Sequence, residues 1–267
     1  MTRAARRRAP EACPQRFIDL AEKLADIAGA VARRHFRTKL RVVGKADASH
    51  VTVADRRAER AMRRAIKRAF PGHGILGEEY GPERTDAEYV WVLDPLDGTK
   101  AFISGIPLFG VLVALTRRGR PILGVIDQPV SRERWVGAIG RKTTFCGRPA
   151  RTRRCKRLAD ATLLATSPHM FRPAEFRAFE RLRKRVKLPR YGGDCYGYGL
   201  VASGHADMVV EAGLKPYDYL AQAPIFAGAG GVITDWKGRA LTLDSGPRVC
   251  ACGDRRLHKR VLRVLAG

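Results

Sequence analysis

The sequence predicts an α/β fold on three observations: helical periodicity alternates with short apolar runs along the chain, several of those runs end in carboxylates, and Gly or Pro punctuates the joins. The first helix is expected over about 15–34, where Phe17, Leu20, Leu24, Ile27 and Val31 recur at steps of three and four. A short strand is read at 39–43, followed by the polar, turn-rich GKADASHVTVAD, a candidate lid over 45–55 carrying Lys45, Asp47 and Asp55. A second amphipathic helix runs from near Ala54 to about Phe70 and stops at Pro71 and Gly72. Gly74 to Leu76 leads into Glu78 and Glu79, and Val90 to Leu93 reads as a buried strand stopping at Asp94. Strands follow at 109–115, 122–126 and 135–139. Beyond a basic stretch at 141–157, a strand is read at 161–166, helices at 174–184 and 194–204, and a strand at 206–211. A last helix begins near Asp218, is kinked or shortened by Pro224, and ends at Gly230 and Gly231. The organisation expected is a basic, disordered tail over 1–14, one subdomain over 15–145 and a second over 146–267.

Composition excludes several classes of protein. At 267 residues and 45% hydrophobic, the chain is long enough for real cores, while its longest apolar candidate, 103–115, is broken by Ser104, Gly105, Pro107 and Gly110, so no membrane helix is expected. The basic start lacks the apolar centre of a secretory signal. Six cysteines at 13, 146, 155, 195, 250 and 252 follow neither zinc spacing nor a disulfide framework, and free thiols in a reducing, cytoplasmic compartment are expected. A net charge of +25, from 51 basic and 26 acidic residues, suggests an anionic partner. Few aromatics interleave the basic clusters and no base-reading module is legible, so a dedicated nucleic-acid role is not expected despite the charge. The six histidines show no RHG-type motif and no metal pairing.

The chemistry concentrates in VWVLDPLDGTKAF at 90–102. Asp94 and Asp97, with Pro95 between them, put two like charges close together, and a cation between them relieves the repulsion. An acidic turn is the plainer reading of the stretch alone. Glu78, Glu79 and Asp218 add carboxylates at the ends of other elements, and magnesium takes such oxygen ligands together with substrate phosphate oxygens.

GEE at 77–79, WVLDPLDGTKAF at 91–102 and YDYLAQAPIFAGAGG at 217–231 resemble, in order and interval, the signature motifs of the inositol monophosphatase superfamily. DGTKAFISGIPLFGVLVAL, GVIDQPVSRERWVGA, YGGDCYGYG and EAGLKPYDYLA look like its histidinol-phosphatase branch, and the resemblance covers the chain from about residue 15. It implies a layered αβαβα sandwich with the site between two mixed subdomains. It further implies magnesium, two or three ions per site with manganese as a substitute, held by Glu78, Asp94, the Leu96 carbonyl, Asp97 and Asp218. Glu79 would stay outside the ligand set. Gly98 and Thr99 would offer N–H groups to the phosphate, and Asp55 would accept a hydrogen bond from Thr99, whose hydroxyl orients the attacking water.

The implied activity is hydrolysis of L-histidinol phosphate to histidinol and phosphate, in histidine biosynthesis, by a homodimer. An inositol monophosphatase and a basic nucleic-acid-binding protein on the same fold are the alternatives. In inositol-phosphate relatives the positions matching Asp194 and Glu211 face the alcohol, and the first is usually small and uncharged. A carboxylate pair suits the ammonium and imidazole of histidinol better than a neutral polyol. The competing reading makes Asp194 a helix cap after Gly193. Relatives also more often carry an apolar residue at Gln222, a glutamate at Ala227 and an asparagine at Cys146.

Overall fold

The structure, a computed structural model, describes residues 12–39, 42–44 and 50–267. Residues 1–11 of the expected 1–14 tail and the lid residues Lys45 and Asp47 lie outside the described residues, while Cys13, expected in that tail, is buried with its N–H on the Ile139 carbonyl at 3.1 Å. In chain order the elements of the first half are α1 (Gln15–His35), β1 (Val42–Gly44), β2 (His50–Thr52), α2 (Val53–Ala69), β3 (Gly74–Gly77), β4 (Gly81–Glu83), β5 (Tyr89–Asp97), α3 (Thr99–Ile103), β6 (Gly110–Arg117), β7 (Arg120–Gln128), β8 (Glu133–Ala138), β9 (Thr144–Phe145) and β10 (Arg148–Pro149). The second half holds β11 (Thr162–Ala165), α4 (Pro173–Arg183), β12 (Leu188–Tyr191), α5 (Asp194–Ala202), β13 (Met208–Glu211), α6 (Pro216–Tyr219), α7 (Gln222–Ala229), β14 (Val232–Thr234), β15 (Val249–Cys252) and α8 (Arg255–Ala266).

These elements stack in five layers. An eight-stranded sheet, ordered β10-β9-β8-β7-β6-β5-β3-β4, is antiparallel except where β3 runs parallel to β5. A five-stranded sheet is ordered β12-β11-β13-β15-β14. Helices α1 and α2 cover the outer face of the first sheet, α5 and α7 fill the space between the sheets, and α4 and α8 cover the far face of the second. The expected αβαβα sandwich is therefore the fold. Both faces of β5 are covered, which is why its apolar run is continuous rather than alternating. Trp91 and Leu93 pack toward α1 and α2, and Val90 and Val92 toward the middle layer.

Local chemistry sets the ends of the helices that matter to the site. Thr52 caps α2 by accepting the Ala54 N–H at 3.1 Å, and Asp55 returns the bond by accepting the Thr52 N–H at 2.8 Å. Asp55 thus belongs to the first turn of α2 and not to a lid, whose described ends, β1 and β2, pair as an antiparallel hairpin. The expected last helix is two helices, α6 and α7, separated at Leu220 and Ala221; Pro224 lies within the first turn of α7, where it displaces no helical donor. The first sheet extends to Pro149, through a β9–β10 hairpin that straddles the expected boundary at 145/146. Its turn residues Cys146 and Gly147 both have positive φ, 48° and 76°, which explains why an asparagine suits position 146.

Two glycines fix how α7 seats on the first sheet. A Cβ on Gly124 would lie 1.8 Å from the Ala221 carbonyl oxygen, and one on Gly137 would lie 2.4 Å from the Ile225 Cα. Backbone stands against backbone there, with no side chain to yield. Gly124→Ala is expected to cost about 3 kcal/mol of stability. A urea midpoint within error of the parent's would overturn that packing argument.

Candidate functional site

The expected strand does not stop at Leu93; β5 continues to Asp97. Its pairing with β6 shifts register between Asp94, opposite Leu112, and Asp97, opposite Gly110. Residues three apart on a regular strand point to opposite faces, and the extra residue of this bulge resets the parity. Pro95, having no N–H to give the ladder, is suited to that place. The bulge therefore turns two aspartates spaced for opposite faces toward one another.

Carboxylate oxygens of Asp94, Asp97 and Asp218 lie within 4.8 Å of one another, with Asp94 buried and the other two half-buried. Asp218 reaches the cluster from the start of α6, where its Oδ2 accepts the Lys215 N–H at 2.7 Å. Glu78 follows β3, with its N–H on the Leu93 carbonyl. Burial first, then the charges of Glu78, Asp97 and Asp218, push Asp94 well above the usual carboxylate range. Asp218 is pushed well up by burial and by Asp97, and Asp97 is raised by burial against the opposing bond from Cys195. Three convergent carboxylates, two of them raised by their neighbours' charge, could hold a cation, and an all-oxygen donor set suits a hard divalent ion. The residues present thus fit a metal site.

Gly98 follows in the left-handed region, φ 81°, and starts the short helix α3. The Thr99 hydroxyl donates to the Leu96 carbonyl at 3.2 Å, and Oδ2 of Asp55 accepts from the Thr52 N–H and hydroxyl. Asp194 stands over the turn: a Cβ on Gly98 would lie 3.2 Å from its Cγ. It is the first residue of α5, φ 43°, while the capping position belongs to Gly193, which makes no side-chain cap. The cap reading of Asp194 therefore fails. Burial, then Asp97 and Glu211, raise Asp194 to about 8, with Lys100 pulling it down. Glu211, buried at the end of β13, accepts from the Thr166 N–H at 2.6 Å and the Tyr198 hydroxyl at 2.8 Å.

Several contributors were not foreseen. The Cys195 N–H donates to Asp97 Oδ2 at 2.6 Å, and Gly110 makes room for the thiol, since a Cβ there would meet its Sγ at 2.4 Å. Buried Glu59 accepts from the Glu79 N–H at 2.7 Å, the Tyr80 N–H at 3.2 Å and the Arg63 guanidinium at 2.7 Å, so it shapes the turn carrying Glu78. Gly77 lets it approach; a Cβ there would stand 2.0 Å from Glu59 Oε1. The sequence signal for Glu59 was a carboxylate on the apolar face of α2, between Asp55 and Met62. Gln222 is buried, with its amide N–H on the Asp218 carbonyl at 2.6 Å, so the polar side chain at that position braces a member of the carboxylate cluster.

With this geometry in hand, comparison with known proteins is direct. The profile of the inositol monophosphatase family matches residues 14–266. The bifunctional phosphatase IMPL2 of Arabidopsis thaliana chloroplasts is 48% identical over 94% of this chain and 75% of its own length. A histidinol-phosphatase of Chlorobaculum parvum is 36% identical over 88% of this chain and 91% of its own. The solved structure of an inositol monophosphatase from Zymomonas mobilis superposes with a TM-score of 0.88 at 45% identity, covering 95% of this chain and 98% of the other. The chain belongs to the inositol monophosphatase family, whose members are phosphatases that use metal ions on small phosphate esters. No helix among the described residues is long and apolar enough to cross a membrane.

The carboxylate cluster makes a pH-dependent prediction. A carboxyl whose folded pKa is raised contributes stability that is present below the unfolded value near 3.8 and is lost as pH rises through the folded value. The metal-free protein is therefore expected to lose stability through these groups as pH climbs above the ordinary carboxylate range. Asp94→Asn should raise its melting temperature at pH 8, by about 2–4 °C per kcal/mol of repulsion relieved, with the gain vanishing toward pH 4. Calorimetry after chelation checks this; a variant that melts below the parent at pH 8 contradicts it.

Proposed function

We propose that the protein is a magnesium-dependent phosphomonoesterase that hydrolyses L-histidinol phosphate. The observation that carries the substrate is Asp194, a further carboxylate at the edge of a site that already holds Asp94, Asp97 and Asp218 with Glu78 beside them. An added negative charge is costly there unless the substrate brings a cation, and histidinol brings an ammonium group. The histidinol-phosphatase from C. parvum and the bifunctional phosphatase from A. thaliana support this reading by similarity. The similarity to the Z. mobilis inositol monophosphatase favours the alternative polyol substrate.

Asp94, Asp97, Asp218, Glu78 and the Leu96 carbonyl hold the ions. When bound, magnesium neutralises ester charge, makes a nucleophile of water at neutral pH and stabilises the leaving oxygen. Gly98 and Thr99 present their N–H groups to the phosphate, and the left-handed Gly98 brings the backbone close to it. The Thr99 hydroxyl, accepted by Asp55 in the loaded site, orients the attacking water. Asp194 takes the ammonium end of the alcohol. Glu211, already bonded by Thr166 and Tyr198, faces the same end and holds α5 and β13 in fixed relation. Hydrolysis then needs no covalent enzyme intermediate. A cytoplasmic homodimer acting in histidine biosynthesis completes the proposal.

Phosphate release from histidinol phosphate, inositol 1-phosphate, a nucleotide 3′-phosphate and fructose bisphosphate, with and without magnesium, tests the reading. Histidinol phosphate should be the preferred substrate and chelation should stop turnover; equal or greater kcat/KM for inositol phosphate would give the alternative. Asp97→Asn should lower kcat by roughly a thousandfold or more while the far-ultraviolet dichroism is unchanged. Asp194→Ala should lower kcat/KM for histidinol phosphate about tenfold to a hundredfold, mainly through KM, and leave inositol phosphate nearly unaffected. An unchanged ratio between the two substrates removes Asp194 from recognition.

A further inference from the structure

Between Arg134 and Asp160 the chain contains eight basic residues and no carboxylate. The fold makes a rigid rail of the end of this stretch, where it crosses from the first sheet to the second. The Ala150 N–H bonds the Thr143 carbonyl at 2.9 Å, the Thr152 N–H bonds the Ala229 carbonyl at 3.1 Å, and the Thr152 hydroxyl bonds the Gly253 carbonyl at 2.8 Å. Arg153 is spent on buried Asp207, at 2.7 and 2.6 Å, and the Cys155 side chain is buried. Arg153 lies in the groove but is neutralised by Asp207, and Arg151 and Arg154 are exposed beside exposed Lys142 and Arg255.

These four cations line one groove of about 520 Å³, floored by the backbone of Gly228 to Gly230 and by the start of α8. The carboxylate in the groove, Asp254, is taken by Arg256 at 2.8 Å. Among the described residues no carboxylate pairs with Lys142, Arg151, Arg154 or Arg255. None of the catalytic residues lines the groove, which adjoins the C-terminal end of α7 while Asp218 precedes its other end.

We infer that this rail is a second anion site that binds the phosphodiester backbone of a nucleic acid without reading its sequence. Fixed cations along an anchored, extended segment match a polyanion with regularly spaced charges. The groove has no aromatic side chain, so it offers no base-stacking platform. The partner, held by its phosphates alone, departs from the sequence expectation against a nucleic-acid role.

The test is fluorescence anisotropy with the full chain, using a labelled 30-nucleotide single-stranded RNA and a 20-base-pair DNA duplex, at several salt concentrations. The parent should bind with an affinity that falls steeply with salt, and comparison of the two probes separates single strands from duplex. Replacing Lys142, Arg151, Arg154 and Arg255 by Gln should flatten the log–log salt slope by about 3 for the RNA, at roughly 0.7 per lost phosphate contact, and weaken binding at least about tenfold. Phosphatase activity should stay at the parental value. A control with the same charge change at Lys23, Arg34, Arg64 and Arg68 should bind nearly as the parent does. The inference is overturned if the control loses as much, if the parent binds neither probe, or if polyglutamate or anionic vesicles compete better than nucleic acid.

Discussion

The bond from the Cys195 N–H to Asp97 is the contact on which the site depends. It joins β5 of the first sheet to the start of α5 in the middle layer, so it holds together the two parts of the fold that enclose the chemistry. It also sets the partial positive charge at the beginning of α5 against a buried carboxylate of the cluster. Asp194 immediately precedes Cys195, so the same bond fixes where the proposed specificity group stands. Gly110 permits the arrangement, because any side chain there would occupy the space of the Cys195 thiol.

Around that contact the acids divide into two kinds. Glu59, and Glu211 in part, spend their oxygens on backbone N–H groups and neighbouring side chains, and each braces a turn that presents another residue. Asp94, Asp97 and Asp218 instead retain oxygens aimed at one another, which is unfavourable in the absence of a cation. Each of the second kind accepts a backbone N–H, from Leu96, Cys195 and Lys215 in turn, and still offers an oxygen to the cluster. That division, rather than acidity as such, separates framework from chemistry in a chain that is basic overall.

Much of this was legible in the sequence. The periodicity of α1 and α2 and the apolar runs of β5, β6 and β7 placed those elements within a few residues, whereas the convergence of Asp94, Asp97 and Asp218 could not be read from spacing and was implied by the family resemblance alone. What escaped depends on partners distant in the chain. The β5 bulge arises from pairing with β6, so Val90 to Leu93 looked like a complete strand. Glu59 is a framework residue only because Gly77 sits against it. The break between α6 and α7 falls at Leu220 and Ala221, residues with no breaking tendency, rather than at the visible Pro224. At the C-terminus, α8 was readable in principle: Asp254 caps it, and Leu257, Val261, Val264 and Leu265 share its buried face.

The contact between Gly98 and Asp194 has a consequence for evolution and redesign. The glycine is favoured twice, by its φ of 81° and by the carboxylate packed over it, so the turn proposed to receive the phosphate and the residue proposed to select the alcohol are in steric contact. A larger residue at 194 would press on the turn that receives the phosphate, and a residue other than glycine at 98 would displace the group that selects the alcohol. If Asp194 has the proposed role, substrate range changes most readily by shrinking position 194, a direction that gives up selectivity. Enlarging it would draw catalysis and recognition down together.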